Sequence, residues 1–398
     1  MKKKKIIDGE KIVFYATKND LNWDEHEIRW DDISSGNINY IYRIINKKTR
    51  ESYILKFADN ATRVNPDGFL SPDRNAHEAG VLQYYNSIRD DVAPKVFCVN
   101  KKKHYFLMED IVPSIPLREA LMMGVMPCNL AHWIASFIVD MSFPLLDILN
   151  SDRDVDRPCF LTYSNTLIKI TENLVFTFPY YDERHRNVYT KENETFLKKM
   201  VCNDRNIQLL SAKMREKFKV YKQSLIHGDL HTGSILVKFM GDKVIGSISN
   251  NMRFYVVDAE FGFYGPIAYD VGNALAHLYF AKVYNMVMAE NEEKEKAMLS
   301  YYEGQIKALP KFVHKLGCEK LKDTYHSPLY NYDFILSYLD DMIKDSIYYC
   351  GLEIIRRVVG SAKVPEIESI EDSLERLEIE KEMIHIALGL LSSGSVYL

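Results

Sequence analysis

The sequence lacks the features that mark several classes of protein. Its six cysteines contain no CxxC pair, so their spacing offers neither a zinc site nor a dense disulfide framework. We therefore expect reduced thiols and a cytoplasmic location. The longest uncharged apolar run, 383–398, is short for a membrane span and is broken near its end by serine and glycine. No membrane partner is expected. The cysteines are Cys98, Cys128, Cys159, Cys202, Cys318 and Cys350.

Neither positive nor negative charge is present in large excess. The formal net charge is −4, and the longest basic run is Lys2 to Lys5. A nucleic-acid-binding protein usually carries a basic face or tract, so no nucleic-acid partner is expected. We interpret the run as a solvated tail; the alternative is a nuclear or membrane address. No apolar stretch follows it, so it does not indicate the start of a signal peptide.

What the chain does contain is enough apolar material for two lobes. It has 398 residues, of which 47% are hydrophobic. In the first third, the apolar residues follow the pattern of several strands and one helix. In the rest of the chain, they recur mainly at helical spacing. We predict an α+β fold, with a small antiparallel sheet over 1–112 and a larger helical lobe over 113–398. The expected strands are 37–46, 51–57, 95–100, 104–108, 234–239 and 253–258; the expected helices are 73–88, 129–150, 195–223, 266–308, 330–360 and 371–390.

The residues most indicative of chemistry are three acids in two segments. The segment "IHGDLHTGSILV" places Asp229 just before a strand, where a carboxylate can orient or accept the proton of an attacking hydroxyl. Twenty-nine residues later, "VVDAEFGFYGP" places Asp258 and Glu260 at the end of another strand. Paired hard oxygen ligands of this kind suit Mg²⁺ bound to ATP phosphates. The alternative is that all three are solvated surface acids.

These segments resemble those of known kinases. The HGD and D-x-E motifs are shared by the choline kinase and aminoglycoside phosphotransferase group, which has the protein-kinase-like bilobal fold. More specifically, "HGDLHTGS" with "FYGPIAYDVGN" is similar to the methylthioribose kinases, in which Ser234 replaces the Asn of the wider group. The resemblance covers most of the chain. It implies ATP and Mg²⁺ as cofactors, a small-molecule substrate and a homodimer.

The resemblance also implies a set of nucleotide-binding residues. Gly36 and Asn37 fall in a segment similar to the phosphate loop, where backbone N–H groups can approach phosphates. Lys56 resembles the strand lysine that binds the α- and β-phosphates, and Glu78 resembles its helix partner. Glu109 and Ile111 would contact adenine through their backbones. Alternatively, Lys56 and Glu78 are ordinary surface residues. The segment 167–180 also resembles the family, without a role that the residues reveal.

On the acceptor side, the resemblance points to Arg356 and Arg357. Two guanidiniums in an apolar helix require an anionic partner, and the resemblance implies that they reach the substrate side of the cleft, to bind the sugar hydroxyls or the phosphate being transferred. The implied reaction is ATP-dependent phosphorylation of the 1-hydroxyl of 5-methylthioribose. The alternatives are an internal ion pair for one arginine, a different sugar or amino-alcohol substrate, and a catalytically silent pseudokinase.

Three features of the sequence depart from the family pattern. Ala259 replaces the usual Pro between the two metal-binding acids, and Lys363 stands where His is common. The segment 239–252 is longer than the family norm, and we expect it to form a hairpin.

Overall fold

A computed structural model describes residues 9–34, 38–60, 70–146, 165–182, 186–241, 248–322 and 329–396. Gly36 and Asn37, with part of the 239–252 segment, lie outside these ranges. Within them, no helix combines the length and apolar character needed to cross a bilayer. The helices are α1 Gly9–Ala16, α2 Arg74–Ile88, α3 Leu117–Met122, α4 Leu130–Ser142, α5 Asn165–Phe176, α6 Glu194–Leu197, α7 Arg205–Val220, α8 Ile267–Val287, α9 Glu292–Leu321, α10 Tyr332–Val359, α11 Pro365–Glu368 and α12 Ser373–Ser393.

The N-terminal part is built around a five-stranded antiparallel sheet of order β1-β2-β3-β5-β4. Isoleucine, tyrosine and phenylalanine dominate its central strands, as expected for a pleated surface with buried faces. Its own core includes α1, which the sequence did not predict, packed through Ile12 and Val13. The strands are β1 Ile28–Asp32, β2 Tyr40–Asn46, β3 Ser52–Phe57, β4 Val96–Asn100 and β5 Tyr105–Glu109.

The remaining strands are short and support the loops between the helices. Strands β6, β9 and β11 form one antiparallel sheet, and β8 pairs with β12. The two ends of the segment 239–252 meet as the expected hairpin requires, because β9 and β11 are antiparallel neighbours and Phe239 pairs with Met252. These strands are β6 Ser114–Pro116, β7 Met126–Pro127, β8 Ser224–Ile226, β9 Ile235–Phe239, β10 Ile248–Ser249, β11 Met252–Val256 and β12 Phe263–Gly265.

A single large core joins the helices of the C-terminal part. Helix α8 is buried along almost its whole length and packs on α10. Gly272 permits this approach, because a Cβ there would lie 2.7 Å from the Ser346 carbonyl oxygen. The α+β class is confirmed, with a small antiparallel sheet followed by a mainly helical part. The division at residue 112 stays a prediction.

Two of the expected helices are divided. The segment 266–308 contains α8 and the start of α9, which begins after the N-cap Asn291, whose side chain accepts from the Lys294 N–H. The segment 195–223 likewise breaks before α7, where Asp204 caps the new helix through its carboxylate. In both places the capping residue marks the boundary, and at the first of them the run 290–296 contains no apolar residue. Segment 167–180 falls mainly in α5, whose Val175 and Phe176 enter the large core.

Candidate active site

The loop before β9 holds Asp229 in place through its backbone. The Asp270 carboxylate accepts hydrogen bonds from the N–H groups of His227 (2.6 Å) and Gly228 (2.9 Å). Gly228 has φ +79°, and a Cβ there would lie 2.2 Å from the Phe261 carbonyl oxygen. Only glycine fits this position without strain. The His-Gly-Asp sequence therefore folds into one fixed turn, anchored by a buried acid on α8.

Two histidines brace the same loop. The His227 ring lies 2.9 Å, through Nε2, from the Val257 carbonyl oxygen, and its Nδ1 accepts from the Asp229 N–H. His231 Nδ1 accepts from the N–H groups of Gly233 and Ser234, both at 3.0 Å. Burial holds the pKa of His227 below its usual range and lowers that of His231 to about 3. Both rings are neutral at neutral pH, which favours a bracing role over acid–base chemistry.

Ser234 completes this bracing network. Its hydroxyl accepts from the His231 N–H and lies 2.8 Å from the His231 carbonyl oxygen and 3.2 Å from that of Asp229. The side chain is fully buried. Serine at this position thus stabilises the loop backbone.

Five charged side chains and one amide, from distant segments, form a first group, which we call the lysine cluster: Asn39, Lys56, Arg74, Glu78, Asp258 and Glu260. Lys56 Nζ donates to Glu78 Oε1 at 2.8 Å and also to Asp258 Oδ1. Asn39 Nδ2 donates to Glu260 Oε2 at 2.7 Å, and Arg74 Nε donates to Asn39 Oδ1 at 2.8 Å. The structure therefore brings together the four predicted members Lys56, Glu78, Asp258 and Glu260.

The lysine cluster contains more carboxylates than cations. Three acids face Lys56 and Arg74, and all of these side chains except Asp258 are nearly or fully buried. Burial raises the pKa of Glu78 and of Glu260, and the neighbouring carboxylates add to this effect. Lys56 stays charged, because its carboxylate neighbours outweigh the burial that would lower its pKa. A surplus of negative charge is what a divalent cation would neutralise.

Asp258 is the accessible member of this cluster. Its side chain is 45% exposed, whereas that of Lys56 is 2% exposed. Its backbone is in the left-handed region, with φ 61°, which is uncommon for a residue with a side chain and typical of functional sites. Burial would raise the pKa of Asp258, but Lys56 outweighs it and holds the pKa below its usual range. The carboxylate is therefore ionised and open to a ligand.

A second group, which we call the arginine cluster, consists of Asp229, Glu353, Arg356 and Arg357. Glu353 is fully buried and accepts from Arg356 Nη1 at 3.0 Å and from Arg357 Nε at 2.6 Å. Arg357 Nη2 lies 3.5 Å from Asp229 Oδ1. The internal ion pair that the sequence left open as an alternative occurs, and Arg357 also contacts Asp229.

The guanidiniums keep Asp229 ionised. Burial would raise its pKa, but nearby positive charge lowers it to about 2. His231 is the first of these charges, but its own pKa is about 3, so above that pH Arg357 and Arg356 are the cations that remain beside Asp229. Asp229 is therefore a carboxylate throughout the physiological range, able to orient a hydroxyl and to take its proton as the oxygen becomes acidic.

The two clusters are connected through the backbone between them. Val257 precedes Asp258, and its carbonyl oxygen contacts His227 while its N–H donates to the Ser234 carbonyl oxygen at 2.9 Å. The strand end that carries Asp258 is thus hydrogen-bonded directly to the loop that carries Asp229. These bonds fix the two backbone segments that carry the carboxylates relative to each other.

The expected adenine contacts lie at the end of β5. The Glu109 N–H donates to the Lys95 carbonyl oxygen at 2.8 Å, so it is occupied. The Ile111 carbonyl accepts from the Ser114 hydroxyl, while its N–H donates to no backbone carbonyl within the described ranges. Ile111 can therefore offer an N–H to a base. Asp110 between them pairs with Arg43 of β2 at 2.9 Å, which fixes this segment to the sheet.

Sequence reasoning missed three members of these clusters: Asn39, Arg74 and Glu353. For Glu353 a signal was present, because it precedes Arg356 and Arg357 by three and four residues and so shares their helix face. Arg74 and Asn39 carried no such signal. Their contacts with Glu260 depend on chain segments about 190 and 220 residues away, shown by the Arg74–Glu260 ion pair and the Asn39–Glu260 hydrogen bond.

Comparison with known proteins gives relatives along most of the chain. No family model matches it. The methylthioribose kinase of Geobacillus sp. (strain WCH70) is 27% identical over 90% of this chain and 85% of that protein. Methylthioribose kinase 2 of Oryza sativa subsp. japonica is 29% identical, covering 90% and 84%. Among solved structures, a Plasmodium vivax ethanolamine kinase gives a TM-score of 0.45 at 12% identity, covering 98% and 89%. The resemblance to methylthioribose kinases that the motifs indicate is confirmed.

Proposed function

We propose that this chain is a kinase that transfers the γ-phosphoryl group of ATP to the 1-hydroxyl of 5-methylthioribose, giving 5-methylthioribose 1-phosphate for methionine salvage. The observation that carries the proposal is the Asp229 carboxylate, held ionised 3.5 Å from the Arg357 guanidinium on a rigid loop. We infer the identity of the substrate from the named relatives, which are similar to this chain over nine-tenths of its length.

Asp229 would orient the acceptor hydroxyl and take its proton. In phosphoryl transfer the enzyme contributes mainly positioning and charge stabilisation, so a weakly basic carboxylate suffices. The proton leaves the hydroxyl as the new O–P bond forms, and ADP departs with the bridging oxygen. Arg357, already beside Asp229, would stabilise the negative charge that develops on the transferred group.

The lysine cluster fits a magnesium–nucleotide complex. Within the described residues, no group of three or more histidine, cysteine or acidic side chains forms a self-contained metal site. Mg²⁺, however, commonly takes one or two carboxylates and completes its coordination with phosphates and water. Asp258 and Glu260 would hold it, and when bound it would neutralise phosphate charge. Lys56, fixed by Glu78, would then bind the α- and β-phosphates.

The arginine cluster favours an uncharged acceptor. Its two guanidiniums are matched by two carboxylates, Asp229 and Glu353. A cationic amino alcohol such as choline would be expected to meet acidic or aromatic groups, whereas here it would meet two arginines. Guanidinium N–H groups are donors that suit the hydroxyls and ring oxygen of a neutral sugar. This charge balance separates the proposal from an amino-alcohol kinase.

Purified protein with ATP, Mg²⁺ and 5-methylthioribose provides the test. We expect ATP consumption that requires the sugar, and a ³¹P NMR signal coupled to the anomeric proton. Choline, homoserine and an aminoglycoside serve as comparison acceptors. Turnover of one of these instead would show that the substrate is wrong and leave the kinase reaction; no turnover with any acceptor would favour the pseudokinase alternative.

We further propose a homodimer, which comes from the resemblance alone, and a cytoplasmic location, which comes from the cysteine spacing. Analytical ultracentrifugation at micromolar concentration tests the first, with a mass of twice 46.3 kDa expected. A single 46.3 kDa species would contradict it.

A further inference from the structure

We propose that Glu353 is a positioning residue, whose carboxylate sets the two arginines against Asp229 so that the acceptor hydroxyl can enter. The inference rests on the proposed function, because it assigns to this acid a part in acceptor binding. Glu353 is not a member of the lysine cluster, and we do not expect it to contact either the nucleotide or the substrate.

The helix geometry explains why one acid serves two arginines. Residues separated by three and four positions share a helix face, so Glu353 on α10 reaches both Arg356 and Arg357. Each carboxylate oxygen takes one guanidinium: Oε2 accepts from Arg356 at 3.0 Å, and Oε1 accepts from Arg357 at 2.6 Å. Both arginines are thereby fixed in one arrangement before any ligand arrives.

The contact with Arg357 determines which of its N–H groups faces the catalytic carboxylate. Glu353 occupies Nε, and Nη2 is then the atom that lies 3.5 Å from Asp229. At that distance the pair is a loose contact rather than a tight ion pair, since charge-assisted bonds are normally 2.7–2.9 Å long. The Asp229 carboxylate thus keeps capacity to accept a hydrogen bond from an acceptor hydroxyl.

The surroundings of Glu353 do not provide a substitute partner. Burial raises the pKa of three titratable neighbours of Glu353 (Tyr180, Tyr269 and Cys350), so they carry no charge that could replace it. A fourth is His277 on α8, with Nε2 4.0 Å from Glu353 Oε1 and Nδ1 3.3 Å from Arg118 Nη2. Burial holds the pKa of His277 well below its usual range, so the ring is neutral. Arg118 in turn pairs with Glu366 at 3.2 Å. Among the described residues, Glu353 is therefore the carboxylate that restrains Arg357 through Nε, while Nη2 faces Asp229.

Removing the Glu353 charge has a directional consequence. The two guanidiniums would retain Asp229 as their remaining carboxylate, and Arg357 would move towards it to form a tight pair. That pair would occupy the oxygen that the acceptor hydroxyl needs. The KM for the acceptor should rise and kcat should fall, whereas the lysine cluster would be unaffected and the KM for ATP should not change.

The test compares Glu353→Gln with a matched control, Glu380→Gln. Glu380 is also buried, at 2% exposure, but its carboxylate accepts from Thr190 and Asn193, which belong to neither cluster. We expect Glu353→Gln to raise the acceptor KM at least tenfold with the ATP KM within twofold of wild type. Glu380→Gln should lower thermal stability and leave both KM values unchanged. An acceptor KM within twofold of wild type in Glu353→Gln, or an equal rise in both KM values, would overturn the inference.

A second measurement needs no acceptor and separates this inference from the proposed function. In ¹⁵N-arginine-labelled protein, the Arg357 Nε–H should be protected from exchange in wild type and in Glu380→Gln, and unprotected in Glu353→Gln. Wild type that ignores methylthioribose would overturn the proposed function alone. Retained protection in Glu353→Gln would overturn the positioning role. If that variant does not fold, Glu353→Asp, which keeps the charge but withdraws it by one methylene, should show the same changes at smaller size, and their absence would count against the inference.

Discussion

The lysine cluster and the arginine cluster are assembled in opposite ways. The first collects side chains from the sheet, from α2 and from the end of β11, so that Asn39 meets Glu260 across more than two hundred residues. The second draws Glu353, Arg356 and Arg357 from a single helix turn and adds one loop residue, Asp229. One cluster depends on the packing of two parts of the chain, and the other is largely local.

Their charge differs as well, and this difference relates each cluster to a ligand. The lysine cluster has three carboxylates for two cations, and burial with mutual repulsion raises the pKa of Glu78 and Glu260. The arginine cluster is balanced, and the pKa of Asp229 falls to about 2. A surplus of acid suits a metal cation that arrives with phosphates, whereas a balanced set suits an uncharged sugar.

The largest expected effect comes from removing the carboxylate that the arginine cluster surrounds. Asp229→Asn preserves shape but can no longer accept the proton of the hydroxyl. We expect kcat to fall by about 10²–10⁴-fold, the range for loss of a general base, with the KM for ATP unchanged. Steady-state kinetics with both substrates measure this. Full phosphoryl transfer by the variant would show that the proposed base is misassigned.

A smaller effect is expected from a neighbour of the metal-binding acids. Asn39→Leu removes the donor to Glu260, so the pKa of that buried acid should rise further and its charge should be lost more readily. Removing a residue that hydrogen-bonds a metal-binding acid typically weakens metal affinity about 10–100-fold. Activity titrated with Mg²⁺ should show this loss, and the loss should grow as the pH falls from 8 to 6. Asn19→Leu, at an exposed side chain bonded to the Tyr15 carbonyl, is the control. An unchanged Mg²⁺ requirement would separate Asn39 from the metal.

The smallest expected effect concerns a buried cation outside both clusters. Lys363 donates to the Val358 carbonyl, and burial lowers its pKa to about 8 despite Glu380 and Glu368. Between pH 8 and its ordinary value of about 10.4, the folded chain holds fewer protons than the unfolded chain, so stability rises with pH in this window. Below pH 8 the folded state carries the full cost of a buried charge.

Lys363→Met should therefore stabilise the protein at pH 7, by about 1 kcal/mol. Its advantage should diminish as the pH approaches 10. Urea unfolding at pH 7 and pH 10 measures both values. A destabilised variant at pH 7 would mean that Lys363 has a compensating carboxylate, as the cations of the two clusters do.

What could be predicted from the sequence divides in the same way, into local features that the sequence indicates and contacts between distant segments that it does not. The sheet, the class of fold and the motif acids were predictable, since strand alternation and the HGD and D-x-E motifs are local patterns. Lys56 and Glu78 were predicted as partners through the resemblance, and they lie 2.8 Å apart. The roles of these residues stay predictions. Gly36 and Asn37 lie outside the described residues.

What could not be predicted is tertiary. Nothing local in Asn39 or Arg74 indicates burial against Glu260, because that contact exists only after the sheet and α2 pack on the end of β11. The break between α8 and α9, by contrast, was missed although the polar run 290–296 and the capping Asn291 mark it in the sequence. Glu353 could have been predicted from helix spacing alone, because it precedes Arg356 and Arg357 by three and four residues.

The most direct test of the division into two clusters is calorimetric binding of each ligand to two variants. Asp258→Asn alters the lysine cluster, and Arg357→Lys alters the arginine cluster by removing the guanidinium fork while keeping the charge. The account predicts that Asp258→Asn weakens Mg²⁺·ATP at least tenfold with methylthioribose within twofold of wild type, and that Arg357→Lys does the reverse. Equal losses for both ligands in either variant would contradict it.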